Sequence, residues 1–397
     1  MHSRDIFHPA DILLPKGGFE QWSVIACDQF TSQRDYWEEV AAVAGDAVSA
    51  LQLVLPEVYL KDTDVPARTE AINTTMHRYL EQGVLREYPN ALIYVERTQP
   101  DGRVRRGIVG AVDLDAYSYE QGATTPIRAT EGTVLDRLPP RVRIRKDASI
   151  ELPHVMLLFD DIERRVITPL AEAAASMPCL YDFELMCGGG HLKGYLIPEA
   201  MHEALYAALD TLCEGEHPLL FAVGDGNHSL ATAKQCAAQY PTARNGRALV
   251  EIVNIHDDAL DFEPIYRYVT GADGLLEALT DAAGYEGDDA HAVLCVTDEG
   301  ERTLSLPPKH ALPVGTVDAF LADWLATHPD AEVDYIHGVE DVRQLAQAPG
   351  TVGILFDGMG KQDLFPAVVQ SGSLPRKTFS MGHARDKRYY TEARRIR

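Results

Sequence analysis

Short apolar runs alternate along this chain with longer Ala-rich amphipathic stretches, and that alternation constrains the fold more than any other feature. Candidate strands rich in Val, Ile, Leu or Phe fall at 23–26, 91–96, 107–112, 155–159, 219–223, 249–254, 292–296 and 351–356. Candidate helices fall between them at 34–43, 67–82, 200–213, 230–240, 272–283 and 317–327. Strands interleaved with helices predict an α/β or α+β core. With 397 residues the chain exceeds one ordinary core, at about 150 residues per domain. A seam is expected after Phe262-Glu-Pro-Ile-Tyr-Arg267, dividing a core at 1–265 from an α/β region at 266–397.

A formal net charge of −24 argues against nucleic-acid or anionic-membrane partners, whose phosphates such a field repels. Any anion must therefore be met by a local basic island. The six cysteines are scattered without a C-x-x-C pair, so reduced thiols are expected rather than a zinc ribbon or a disulfide framework. The first residues lack the apolar core of a signal peptide and no run approaches the ~20 apolar residues of a membrane span, which predicts a cytoplasmic protein.

The segment Pro218–Lys234 reads as an apolar strand, a turn with Gly224 and Gly226, and a helix. Glycine opens backbone angles closed to other residues, and Asn227 or Ser229 is placed to cap a helix starting near Leu230. The helix start would offer backbone N–H groups and the positive end of its dipole to a phosphate. The run is neither G-x-G-x-x-G nor G-x-x-x-x-G-K-[ST], so Rossmann and Walker readings are unsupported. Asp225 and His228 suggest a site, although Asp, Asn and Gly are also ordinary turn residues.

Between Arg128 and Lys146 six basic residues fall within nineteen positions. Arg128, Arg137 or Arg141 could grip an anionic substrate with a bidentate fork; the other reading is a strand edge with Arg143 and Arg145 in solvent. Glu131 is either a magnesium ligand or a cap. Asp28 ends an apolar strand, where it could accept a proton from a substrate hydroxyl or cap the following helix; Cys27 beside it reads as core or nucleophile. Gly188–Gly194, with Lys193, is a phosphate loop or a hairpin. Asp160, Asp161, His256 and Asp257 are solvated loop starts or a metal-dependent phosphohydrolase centre. The basic end from Arg385 to Arg397 is a solvated helix face or a lid over an anion.

Taken in order, Val24–Phe30, Leu55–Tyr59, Arg128–Gly132, Glu151–His154, Gly224–His228, Glu263–Arg267 and Leu374–Phe379 resemble the family called domain of unknown function one thousand and fifteen. That family looks related to the ParB and sulfiredoxin superfamily, whose phosphate-cradling turn is typically Asp-Gly-His-His-Arg. Here Asp225, Gly226 and His228 agree, while Asn227 and Ser229 replace the first His and the Arg.

The resemblance implies a ParB/sulfiredoxin-like core with a mixed sheet and an additional C-terminal α/β region. It also implies a kinase that phosphorylates free L-serine with Mg²⁺ and ATP or ADP. Catalysis would fall to Asp28, Asp225 and His228. Phosphate and nucleotide binding would fall to Gly224, Gly226, Asn227, Ser229, Arg128 and Lys377, substrate binding to Thr130, Arg137 and Arg141, and a metal contact to Glu131 or Asp225. A non-catalytic nucleotide-binding switch is the rival within the same superfamily.

Overall fold

The computed structural model describes residues 2–133 and 138–397. It is a mixed α/β structure that divides into two units, one of residues 2–260 with His383–Arg397 and one of Asp261–Gly382. The sequence seam at 265/266 falls inside the strand Phe262–Thr270, which pairs with Phe379–Met381 at its start and with Glu332–His337 and Thr351–Phe356 beyond it. The chain therefore changes unit before that strand, and its last residues return to the first unit.

Among the described residues the first unit is built on a ten-stranded sheet. The strand Met156–Phe159 lies between Arg247–Asn254, parallel to it, and Phe221–Asp225, antiparallel. Phe221–Asp225 in turn runs parallel to Ile127–Ala129. Period-two alternation gives this sheet two buried faces. Leu92, Tyr94, Ile108, Val250 and Ile252 enter one core, and Ile93, Val95, Val109 and Leu249 enter the other. The second unit is a six-stranded antiparallel sheet whose helices, Leu275–Ala282 and Pro313–Leu325 among them, cover a core around Val269, Val317 and Ile354. Among the described residues no helix is long and apolar enough to cross a membrane.

The apolar runs recur as strands within a few residues of their expected bounds, and Thr351–Phe356 matches end to end. Two segments differ. Leu138–Arg145 is a helix rather than a strand edge, as Pro139 and Pro140 allow, since a helix's first turn needs no N–H partner. Its Arg145 is bonded to the buried Glu151 instead of facing solvent.

The basic end is neither a solvated helix nor a loose lid. Tyr389–Tyr390 pairs with Val24–Ile25, and Ala393–Arg395 runs between Ala10–Pro15 and Ile150–Glu151. Two of its arginines, Arg388 and Arg394, turn inward because acids wait there. Arg388, 4% exposed, puts Nε 2.7 Å from Glu251 and Nη2 2.5 Å from Glu392. Arg394 lies 2.7 Å from Glu151. Gly107 clears the space for Glu251, since a Cβ there would stand 2.5 Å from the Glu251 Oε1. Burial alone would favour the neutral acid, but Arg105 and Arg388 outweigh it and hold Glu251 below the usual carboxylate range.

Removing one partner from a buried ion cluster leaves charges stranded. Arg388→Ala is expected to cost about 3–5 kcal/mol in chemical denaturation. Arg395→Ala breaks a half-exposed pair with Glu87 at 3.3 Å and is expected to cost no more than about 1 kcal/mol. Equal costs would contradict the inward reading of this strand.

Candidate functional site

The strand Phe221–Asp225 ends in a turn at Gly226, whose φ of 82° is left-handed, and the helix Asn227–Gln239 begins at the next residue. Gly226 is the N-cap and no side chain caps the helix. Neither Asn227 nor Ser229 serves that purpose, because the helix starts earlier than its apolar pattern suggests and both lie in its first turn. The Asn227 amide instead reaches Thr130 Oγ1 at 3.4 Å, and Thr130 donates to the Val223 carbonyl at 2.7 Å. First-turn N–H groups have no partner within a helix, so an uncapped start offers them to an acceptor outside.

Gly226 is also required by its neighbours. A Cβ there would stand 3.0 Å from Val155 Cα and 3.4 Å from His154 Cδ2. The turn thus packs directly on His154, a residue the sequence offered only within the Glu151–His154 segment. His154 Nε2 lies 3.3 Å from Asp28 Oδ2, and its Nδ1 is hydrogen bonded to the Tyr390 hydroxyl at 2.9 Å. Tyr390 also accepts from the Cys27 N–H at 3.2 Å and donates to the Cys27 thiol at 3.1 Å. Lys387 places Nζ 3.3 Å from Asp225 Oδ2. Glu57 donates its N–H to the Cys27 carbonyl at 2.8 Å and is ion paired with Arg141.

The site is thereby assembled from four places in the chain: the end of the Val24–Ile25 strand, the His154 loop, the Gly226 turn and the C-terminal segment. Asp28 does not cap the next helix, whose N-cap is Gln33. Its side chain remains 29% exposed and can meet a ligand. Burial opposes its ionisation, but the charge and hydrogen bond of His154, with help from Gln29 and Lys387, hold its carboxyl well below the usual range. Burial pushes His154 down, while Asp28, Asp225 and Glu57 push it up, and the net shift is upward. Burial and the neighbouring Asp28 raise the Cys27 thiol to about 12, which removes the thiolate a nucleophile needs.

Asp28, Asp225 and the 224–229 turn come together, and Thr130 and Glu131 follow the strand Ile127–Ala129 that pairs with the turn's own strand. Arg141 joins through Glu57. Arg128 does not. Its Nε and Nη2 donate to the carbonyls of Thr125 and His217, each at 2.8 Å. Lys377 lies in the second unit, its ammonium 5.4 Å from the Tyr335 ring centre, and Arg137 lies outside the described residues.

Gly188–Gly194 is a hairpin connection in which Lys193 pairs with Asp182 at 3.2 Å. Asp161 and Asp257 accept backbone N–H groups of Val166 and Arg106, while His256 pairs with Asp160 at 2.6 Å. Among the described residues no group of three or more His, Cys, Asp or Glu side chains is arranged to hold a metal, so Glu131 belongs to no such group.

Gly226→Ala introduces both a clash and a left-handed side chain, and is expected to cost about 1–3 kcal/mol by denaturation. A neutral effect would mean the turn has room to move. For His154, NMR titration is expected to place the imidazole midpoint above the ordinary ~6.5 and to show it falling in Asp28→Asn. Because the folded value is raised, protonated His154 stabilises the fold fully below pH ~6.5, and that contribution is lost as pH rises through the folded midpoint. An unchanged midpoint in Asp28→Asn would remove Asp28 as the cause.

Comparison with known proteins gives a family. No curated protein matches. Among solved structures, a free serine kinase in complex with AMP is 12% identical over 69% of this chain and 92% of its own, with a TM-score of 0.40. A conserved hypothetical protein from Pyrococcus furiosus is 11% identical over 67% and 92%, with a TM-score of 0.37. SbnI with a C-terminal truncation, from Staphylococcus aureus, is 12% identical over 69% and 82%, with a TM-score of 0.38. Likenesses this distant say nothing of activity. The model of the family described as protein of unknown function (DUF1015), in contrast, matches residues 9–325, and the chain belongs to that family.

Proposed function

We propose that the first unit is a small-molecule kinase that binds the phosphates of ATP or ADP at the Asp225–Ser229 turn and phosphorylates the hydroxyl of a free amino acid, L-serine foremost. The observation that carries this reading is the uncapped helix start at Gly226 packed against His154 Cδ2, with the partly exposed Asp28 carboxylate at the adjacent Nε2 of the same imidazole. An anion at a helix N-terminus beside an ionised carboxylate is the arrangement a phosphoryl donor and a hydroxyl acceptor require.

Phosphoryl transfer asks little covalent chemistry of a protein; positioning and charge neutralisation supply most of the rate. In this reading the first-turn amides hold the donor phosphates. Asp28, kept ionised by His154, orients the acceptor hydroxyl and takes its proton as the new O–P bond forms. Tyr390, itself bonded to Cys27, holds the imidazole at Nδ1.

Three carboxylates around the turn are matched by cations, Asp28 by His154, Glu57 by Arg141 and Asp225 by Lys387. These side chains do not fit a protein-held Mg²⁺. The ion belongs with the nucleotide, as is common for Mg²⁺, which keeps its waters and binds substrate phosphates.

Purified protein with MgATP or MgADP and a panel of free amino acids is expected to form O-phosphoserine, read by mass spectrometry. Asp28→Asn is expected to lower kcat at least about 100-fold, in the range of a lost general base. Nucleotide binding with no phosphorylated product from any amino acid would favour a regulatory switch instead.

A further inference from the structure

Phosphoryl transfer needs a cation at the transferred group, and Arg128 and Lys377 were the sequence's candidates. Arg128 is occupied by two carbonyls. The C-terminal segment supplies another. Lys387 is buried to 8% exposure, yet its Nζ stands 3.3 Å from Asp225 Oδ2, on the residue that immediately precedes the Gly226 N-cap. The Asp225 carboxylate turns back on the turn itself, its Oδ1 accepting the Gly226 N–H at 2.9 Å. The Lys387 charge also reaches Asp28, so it lies within electrostatic range of both the expected phosphate cradle and the expected hydroxyl acceptor.

The backbone around Lys387 is held on both sides. Its own carbonyl accepts from Arg97 Nη1 at 3.3 Å, and the carbonyl of Arg385 accepts from Arg97 Nη2 at 2.9 Å. The next residue, Arg388, is locked by Glu251 and Glu392, donates to the Pro153 carbonyl at 2.7 Å, and accepts the Ala26 N–H at 3.0 Å. An ammonium has three donors on a flexible stem. Among the described residues Asp225 is its charged partner, and a carboxylate partner can be exchanged for phosphate oxygens without moving the backbone.

We propose that Lys387 neutralises the transferred phosphoryl group, and that Asp225 holds the ammonium in place until the nucleotide arrives. The inference rests on the kinase reading of the same site. In the step, the acceptor oxygen bonds the terminal phosphorus while the bond from that phosphorus to its bridging oxygen breaks. The bridging oxygen leaves with the electron pair on the shortened nucleotide, and the hydroxyl proton passes to Asp28. Lys387 stays protonated throughout and follows the terminal phosphoryl oxygens.

Two measurements on the full-length protein test this. By calorimetric titration, Lys387→Met is expected to bind ATP and ADP at least 10-fold more weakly than wild type, to bind AMP within 2-fold, and to recover most of the ATP and ADP affinity as Lys387→Arg. By O-phosphoserine formation, Lys387→Met is expected to lose at least 100-fold in kcat with KM for serine within 3-fold, and Lys387→Arg to recover at least 10-fold of it. A thermal melt reports whether each variant folds, and Lys387→Gln, with the losses expected of Lys387→Met, carries the test if the methionine variant does not.

Equal weakening toward all three nucleotides, or none, overturns the proposal, as does Lys387→Met turning over like wild type. If wild type binds the nucleotides selectively but phosphorylates nothing, the kinase reading fails while the affinity arm still judges Lys387. If wild type binds none of them, both fall.

Discussion

Arg388 is the residue on which this arrangement depends. Its guanidinium joins Glu251 of a central sheet strand, Glu392 of its own segment and the Pro153 carbonyl just before His154, and its backbone carbonyl receives the N–H of Ala26, two residues before Asp28. Four stretches distant in sequence are thereby fixed around one buried cation. Taking these charges out of water is expensive, and it is repaid only by complete pairing. The Tyr181 hydroxyl donates to Glu392, and Arg105 Nε stands 3.6 Å from Glu251 Oε1, an electrostatic contact longer than a hydrogen bond.

That cluster also gathers cations in one place within a chain of net charge −24. The charge is not spread evenly: Arg97, Arg105, Lys387 and Arg388 gather where the C-terminal segment crosses the sheet. Burial and the neighbouring Arg105 lower the Arg97 guanidinium to about 10, so it stays charged at neutral pH. Beside them the Gly226 turn adds helix-terminus amides at no cost in formal charge. In the proposed reading, the basic island is drawn from the tail and the sheet.

Local patterns were legible and long-range ones were not. Alternating apolar residues marked the central strands, and the Gly224–Ser229 turn was readable because glycine and a following helix pattern leave few alternatives. Asp28 stood out as an acid ending an apolar strand. The partners that turn these pieces into a site were hidden. Tyr390 is 236 residues from His154, and Lys387 is 162 positions from Asp225, so no periodicity links them. The tail misled because its arginines resemble a solvated face, and only Glu151, Glu251 and Glu392 inside the fold reverse that expectation. Nothing in the sequence around Arg128 announces that its Nε and Nη2 turn to the Thr125 and His217 carbonyls.

The central claim is that the Gly226 turn receives phosphate. Amide NMR on the wild-type protein titrated with MgADP tests it most directly. The account predicts saturating shifts at Gly226, Asn227, His228 and Ser229, with matching changes at His154 and little change in the second unit's Thr351–Phe356 strand. Saturable binding that leaves those four amides unmoved would contradict it.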